Sequence, residues 1–229
     1  MSLFRGKNKF QLKVKICGIA NETDILSCAN LGVHALGFLL GDSKSNTKTD
    51  YLTTERAKNL ISKVPSHMKS VLLLKESNFD QIIRLVDKIK PDVIQLQSEY
   101  LHQDVLARLH DERQNFELIK TFRVRDNDTV ESLLKSILPV YNFIDAILLD
   151  SIKGGSGISH NWALSRIIAR YLIQIGKPFI LAGGLTVENI QVAINTVNPS
   201  MIDLMSGVSI DKGVKDISKI SQLMSIIQE

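Results

Sequence analysis

Two residues that can move protons stand at the ends of apolar runs. Cys17 closes the run Lys13–Cys17, and Asp150 closes the run Ala146–Asp150. A thiol whose pKa is lowered by positive surroundings is a competent proton-abstracting base. A carboxyl shielded from water is a competent general acid. Side chains alternate along a strand, so Lys13, Lys15 and Cys17 share one face, and Ala146, Leu148 and Asp150 share another. If both faces line one cavity, thiol and carboxyl point into its mouth. The plain alternatives are an inert buried thiol for Cys17 and a structural loop cap for Asp150. Cys28, on the apolar face of a helix, fits the inert role.

Three glycine-bearing stretches follow the last three apolar runs: Gly154-Gly155-Ser156-Gly157, Ala182-Gly183-Gly184-Leu185 and Met205-Ser206-Gly207-Val208. Glycine lets backbone N–H groups approach an anion with no Cβ in the way. The stretches make Gly155, Ser156, Gly157, Gly183, Gly184, Ser206 and Gly207 candidates to hold a phosphate. Tight turns alone would explain one such loop more simply than three. His160 and Trp162 border the first, His160 as a capping or exposed residue and Trp162 as packing beneath it.

The elements that must position these groups alternate. Eight short apolar runs read as buried parallel strands: Lys13–Cys17, Ala35–Leu40, Ser70–Leu74, Val93–Leu96, Leu118–Phe122, Ala146–Asp150, Phe179–Ala182 and Ile202–Met205. A helical pattern follows each. Asn21, Thr53, Asn78, Asn161 and Thr186 read as caps, and Gly32, Pro65, Pro91, Pro139 and Gly176 as stops. Thr186 is expected to open the seventh helix, and the last is expected over about 214–227. Eight βα units predict a single α/β domain, a closed (β/α)8 TIM barrel over residues 13–229, with a flexible arm over 1–12. An open doubly wound sheet would carry its glycine loop after the first strand, where only Gly18 stands. In such barrels the active site occupies the carboxyl ends of the strands, and phosphate often binds near the last ones. That places the phosphate site at strands six to eight.

The 229 residues are 44% hydrophobic and 23% charged, with a formal net charge of +4. No basic cluster is interleaved with aromatics, so nucleic acid is not an expected partner. The apolar runs are too short to span a bilayer, so no membrane partner is expected. The N-terminus lacks the apolar core of a signal peptide, and two cysteines do not make a disulfide framework. A cytoplasmic enzyme with a phosphorylated small-molecule substrate, working as monomer or homodimer, is the expectation. None of the five histidines ends a strand, which argues against a metal-dependent phosphosugar epimerase.

Taken together, the motifs resemble the phosphoribosylanthranilate isomerase family of tryptophan biosynthesis. The resemblance is carried by Val14-Lys15-Ile16-Cys17-Gly18-Ile19, Leu36-Gly37-Phe38, Ile94-Gln95-Leu96 and Asp145-Ala146-Ile147-Leu148-Leu149-Asp150. The late glycine stretches with Trp162, Leu181-Ala182-Gly183-Gly184-Leu185-Thr186, and Asp203 complete it. It implies an Amadori rearrangement of an aminoaldose phosphate to an aminoketose, with Cys17 as general base, Asp150 as general acid, and no metal or other cofactor. It also implies substrate contacts from Gln97, Lys48 and Asp203.

Three departures stand out. The family's arginine after the second strand, which helps hold the anthranilate carboxylate, is missing from residues 41–51, where Lys44 and Lys48 are the available cations. Lysine lacks the planar fork that suits a carboxylate. Gln97 stands where the family often has histidine, and Ser209 where it has glutamate. The acid–base pair and phosphate end are retained while the anthranilate end is altered. A phosphosugar isomerase with another aglycone, or a non-catalytic phosphometabolite-binding barrel, are the alternatives this implies.

Overall fold

The computed structural model describes residues 2–4, 12–41, 50–99, 101–113, 115–151 and 161–228. In chain order the elements are β1 (Lys13–Cys17), α1 (Glu22–Asn30), β2 (Ala35–Leu40), β3 (Tyr51–Leu52), α2 (Thr54–Ile61), β4 (Lys69–Leu74), α3 (Phe79–Ile89), β5 (Val93–Leu96), α4 (Gln103–Glu112), β6 (Glu117–Val124) and α5 (Val130–Ile137). Then come β7 (Ala146–Ser151), α6 (Trp162–Gln174), β8 (Phe179–Leu181), α7 (Ile190–Val197), β9 (Met201–Leu204), β10 (Ser209–Asp211), β11 (Val214–Lys215) and α8 (Ile217–Gln228), with 3₁₀ turns at Tyr141–Phe143 and Ser206–Val208.

Eight strands run parallel in the ring β1-β2-β4-β5-β6-β7-β8-β9, which closes where β9 pairs with β1. Closure leaves the ring without an edge and sets every carboxyl end on one rim. The expected barrel is therefore the observed fold, and the open sheet is excluded. β3 adds a short parallel pairing beyond β2 at that rim, Leu39 beside Tyr51. β10 and β11 form a hairpin of their own.

Two apolar layers hold the barrel. Residues pointing inward, such as Ala35, Leu39, Val71, Ile119, Leu148 and Ile180, fill the lumen. Residues pointing outward, such as Ile16, Leu36, Leu72, Ile147 and Ile202, pack under the helices. This is the two-residue alternation of strands buried on both faces. Within the expected N-terminal arm, Ser2–Phe4 lie against the floor of the barrel. Leu3 is buried there, its N–H donates to Glu117 Oε2 at 2.6 Å, and Lys13 Nζ donates to its carbonyl.

Most helix starts follow from their caps. Asn21 accepts from Asp24 N at 2.8 Å, Thr53 from Arg56 N at 3.2 Å, and Asn78 from Gln81 N at 3.1 Å. Two helix starts differ from the sequence expectation. Thr186 does not open α7; Asn189 folds the preceding loop by donating to Gly184 O and accepting from Thr186 N, and the helix begins at Ile190. The last helix starts at Ile217, because Val214 and Lys215 pair with β10 instead. No helix among the described residues is long and apolar enough to cross a membrane.

Candidate active site

The alternation read from β1 holds. Lys15 and Cys17 both face the lumen, Cys17 at the rim and Lys15 one layer below. Both are buried. Lys15 Nζ donates to Asp203 Oδ2 of β9 at 2.8 Å, across the register pairing of Lys15 with Asp203. Gly37 of β2 makes this cluster possible. A Cβ there would stand 2.7 Å from Cys17 Sγ and 3.1 Å from Lys15 Nζ, so only glycine leaves room for thiol and ammonium side by side.

Asp150 enters from β7, beside Arg123 of β6 in the same register row. Arg123 Nη1 lies 3.4 Å from Asp150 Oδ2 and donates to Ser151 O at 3.2 Å. Gly183, at φ +85°, turns the chain after β8 close over this pair. A Cβ there would meet Ser151 N at 2.5 Å and Asp150 Oδ1 at 3.0 Å. A positive φ and a near contact together exclude a side chain.

These groups line one pocket at the carboxyl rim. Its wall includes Cys17, Asp150, Asp203, Gly183, Gly184 and Ser206, with Gln97, Lys75, Tyr51 and Arg123 on the remaining side. In the closed ring, β4 stands across from β8 and β5 across from β9. Lys75 and Gln97 therefore face the glycine turns of β8 and β9 across the mouth. Lys75 Nζ donates to Tyr51 Oη at 3.0 Å.

Burial dominates the electrostatics. It pushes the Cys17 thiol up to about 11; Lys15 and Lys215 oppose the rise, and Asp203 adds to it. Burial acts against the charge of Lys15, but Asp203 and Cys17 outweigh it and hold the ammonium above its ordinary value. Burial also lifts Asp150 to about 6, with Arg123 opposing and Asp203 reinforcing. Among the described residues, two buried carbonyl or carboxylate oxygens have no hydrogen-bond partner: Asp203 Oδ1 and Gln95 Oε1, whose Nε2 donates to Thr121 Oγ1. Both residues line the pocket, so both acceptors are available to donors on a bound molecule.

The structure thus brings together Cys17, Asp150, Asp203, Gln97, Gly183, Gly184 and Ser206, while Gly207 stands beside them in the 3₁₀ turn after β9. Gly155, Ser156, Gly157, His160, Lys44 and Lys48 lie outside the described residues. Trp162 packs half-buried against the outer core. Cys28 is fully buried, its thiol pushed up to about 12 by burial, as an inert thiol should be. Arg123 and Tyr51 also line the site, and no motif in the sequence marks either of them. Arg123 was within reach: β6 runs to Val124 rather than Phe122, and its alternation from Ile119 through Thr121 lands on Arg123. Tyr51 carried no such signal, since its two-residue strand depends on pairing with β2.

A (β/α)8 barrel with a thiol and a carboxyl at its carboxyl rim, flanked by glycine turns, defines a class of barrel enzymes that move protons on small molecules. Comparison narrows the class. A family model described as N-(5'-phosphoribosyl)anthranilate (PRA) isomerase matches residues 14–226. The N-(5'-phosphoribosyl)anthranilate isomerase of Methanosarcina acetivorans is 33% identical over 237 residues, covering 98% of this chain and 96% of the relative. That of Methanocella arvoryzae is 31% identical, covering 94% and 98%. Among solved structures, phosphoribosyl anthranilate isomerase from Thermus thermophilus superposes with a TM-score of 0.78 at 27% identity, covering 95% of this chain and 98% of that one. The enzyme from Thermococcus kodakaraensis gives 0.76 at 29% identity, covering 95% and 99%. The chain belongs to the N-(5'-phosphoribosyl)anthranilate isomerase family.

Proposed function

We propose that this enzyme isomerises N-(5'-phosphoribosyl)anthranilate to 1-(2-carboxyphenylamino)-1-deoxyribulose 5-phosphate, the Amadori step of tryptophan biosynthesis, with Asp150 as acid and Cys17 as base. The observation that carries the chemistry is the meeting of these two groups in one pocket at the carboxyl rim, beside the glycine turns of β8 and β9. Family membership supplies the substrate.

Asp150 protonates the ribose ring oxygen. The C1–O bond breaks, the electron pair stays on that oxygen as a hydroxyl, and the aryl nitrogen lone pair forms the C1=N bond of a Schiff base. Cys17 then removes the proton from C2. The C2–H electrons become the C1=C2 bond, and the imine electrons return to nitrogen. The resulting enolamine tautomerises: C1 takes a proton from water as the C2 hydroxyl gives one to water and becomes the ketone, and exchange with water returns Cys17 and Asp150 to their starting forms. No electrons enter or leave, so the chemistry calls for no redox cofactor. Lys15 keeps a positive charge beside the thiolate that must form, and Asp203 holds Lys15 in place. Backbone N–H groups of the glycine turns, with Ser206, suit the phosphate. The free acceptors on Asp203 and Gln95 suit ribose hydroxyls.

A base that works as a free thiolate suits a reducing compartment, so the cytoplasm is the location this reading implies. Cys17 and Asp150 line one pocket of the same chain, so this reading expects turnover by a monomer and a homodimer alike.

The test is conversion of N-(5'-phosphoribosyl)anthranilate by the purified enzyme, with the product identified by NMR. The expected result is the ketose, at a rate unchanged by EDTA. Failure to convert it, with conversion of another phosphoribosyl amine, would overturn the anthranilate reading. The lost arginine after β2 and Gln97 at the rim are what give that second outcome weight.

A further inference from the structure

We propose that Arg123 binds the carboxylate of the substrate's aryl amine and, in turning to it, releases Asp150 to take up the proton it delivers. The inference rests on the function given above, with Asp150 as the acid, and assigns the specificity of the altered end of the site.

Arg123 projects into the mouth from β6, in register with Asp150, and lines the same pocket as Gln97 and Lys75. Its contacts are scattered over three residues, and none of them is two-pronged. Nη1 reaches Asp150 Oδ2 at 3.4 Å and Ser151 O at 3.2 Å, and Nε stands 3.7 Å from Glu99 Oε1. Glu99 is also engaged by Arg125 through its other oxygen. Elsewhere in the barrel Arg113 shows what a satisfied guanidinium looks like: both its terminal nitrogens grip Asp145. No carboxylate among the described residues engages Arg123 in that two-pronged way. Its side chain is 22% exposed, open to a ligand yet already partly removed from water. A planar fork with unused donors, set at the rim of a half-apolar pocket, matches an aryl carboxylate.

The link to Asp150 follows from what surrounds that carboxyl. Arg123 faces it from β6, Asp203 from β9 and Lys15 from β1, and Ser151 supplies a backbone N–H. Arg123 is the largest of the influences that keep Asp150 ionised against burial. A substrate carboxylate that engages the guanidinium spends this influence on the ligand. Burial and Asp203 then favour the protonated acid, opposed by Lys15, whose charge is already engaged by Asp203. Anthranilate would thereby arm the acid that opens its own ribose ring, and an amine without a carboxylate would not. Among the described residues that line the pocket, the rival cation is Lys75, which is exposed and engaged with Tyr51, at 3.0 Å from its hydroxyl and 4.8 Å above its ring.

The experiment is calorimetric binding of the product with its ketone reduced to an alcohol, with and without its aryl carboxylate, to wild type, R123M, R123K, K75M and D150N. In the wild type the carboxylate should strengthen binding roughly ten- to hundredfold, the worth of a charge-assisted bidentate contact. R123M should lose that preference while binding the descarboxy analogue as wild type does, which also reports an intact fold. R123K should recover part of it. Near pH 7, repeated in buffers of different ionisation enthalpy, the carboxylated analogue should draw a proton into the wild type but not into R123M or D150N. A preference that survives in R123M and vanishes in K75M would overturn the assignment. An Arg123-dependent preference without proton uptake would overturn the release of Asp150. Because binding requires no turnover, these outcomes stay separate from failure of the proposed activity, which shows as absent conversion by the wild type.

Discussion

Asp150 and Cys17 hold their protons in the order opposite to the one the proposed catalysis needs. With values of about 6 and about 11, the free site at neutral pH carries an ionised acid and a protonated thiol. The reactive form, Asp150 protonated and Cys17 ionised, is a minor tautomer of that state. Its fraction rises with pH until Asp150 ionises near 6, stays level across neutral pH, and falls only once Cys17 has ionised near 11. We therefore expect kcat/KM to climb with unit slope up to about pH 6 and to be flat from pH 7 to 9, as a pH–rate profile will show. The same burial affects stability. The folded value of Asp150 exceeds its unfolded value, so the group favours the fold when protonated and penalises it once ionised. The penalty sets in between the unfolded value of about 4 and the folded value near 6, and it reaches at most about 3 kcal/mol at neutral pH. D150N should raise the urea midpoint at pH 7.5 and leave it unchanged at pH 3.5, while abolishing turnover. Equal midpoint shifts at both pH values would contradict this account of the buried carboxyl.

At the scale of elements, the sequence made the strands and most helix starts legible because their signals are local. Continuous apolar runs of four to six residues mark strands buried on both faces, and Asn21, Thr53 and Asn78 cap the helices that follow them. What escaped depends on partners distant in sequence. β3 exists because Tyr51 and Leu52 find β2, and the β10–β11 hairpin displaced the expected start of the last helix. Thr186 reads as the opener of α7, yet Asn189, three residues on, closes the loop after β8 onto Gly184 and the helix starts behind it. That loop also confines Asp150, the proposed acid. At Gly183 the positive φ and the 2.5 Å approach of a Cβ to Ser151 N leave no tolerated side chain, and Asp150 Oδ1 lies next in line. G183A should lower kcat/KM roughly 10- to 100-fold by displacing Asp150. It should also cost about 1–3 kcal/mol of stability, seen as a lowered denaturation midpoint. A variant with wild-type kinetics would show that the acid is positioned by β7 alone.

Across the whole molecule, the closed ring separates stability from chemistry along one axis. The floor is shut by Leu3, with Glu117 and Lys13 holding the backbone beside it, while every proposed catalytic group stands at the opposite rim. L3A should cost about 2 kcal/mol in chemical denaturation and leave kcat within experimental error; a large loss of kcat would mean that the floor and the rim are coupled. The barrel itself could be read from eight alternating units and the late glycines. The electrostatic cluster of the lumen could not, because Lys15, Asp203 and Cys17 meet only once β9 closes the ring onto β1. The sharpest test of the account is the rate at which wild type, C17S and D150N convert N-(5'-phosphoribosyl)anthranilate. The account predicts rapid conversion by the wild type and losses of at least about 100-fold in each variant, the usual worth of a positioned acid or base. Variants that match the wild type within a few-fold would contradict it.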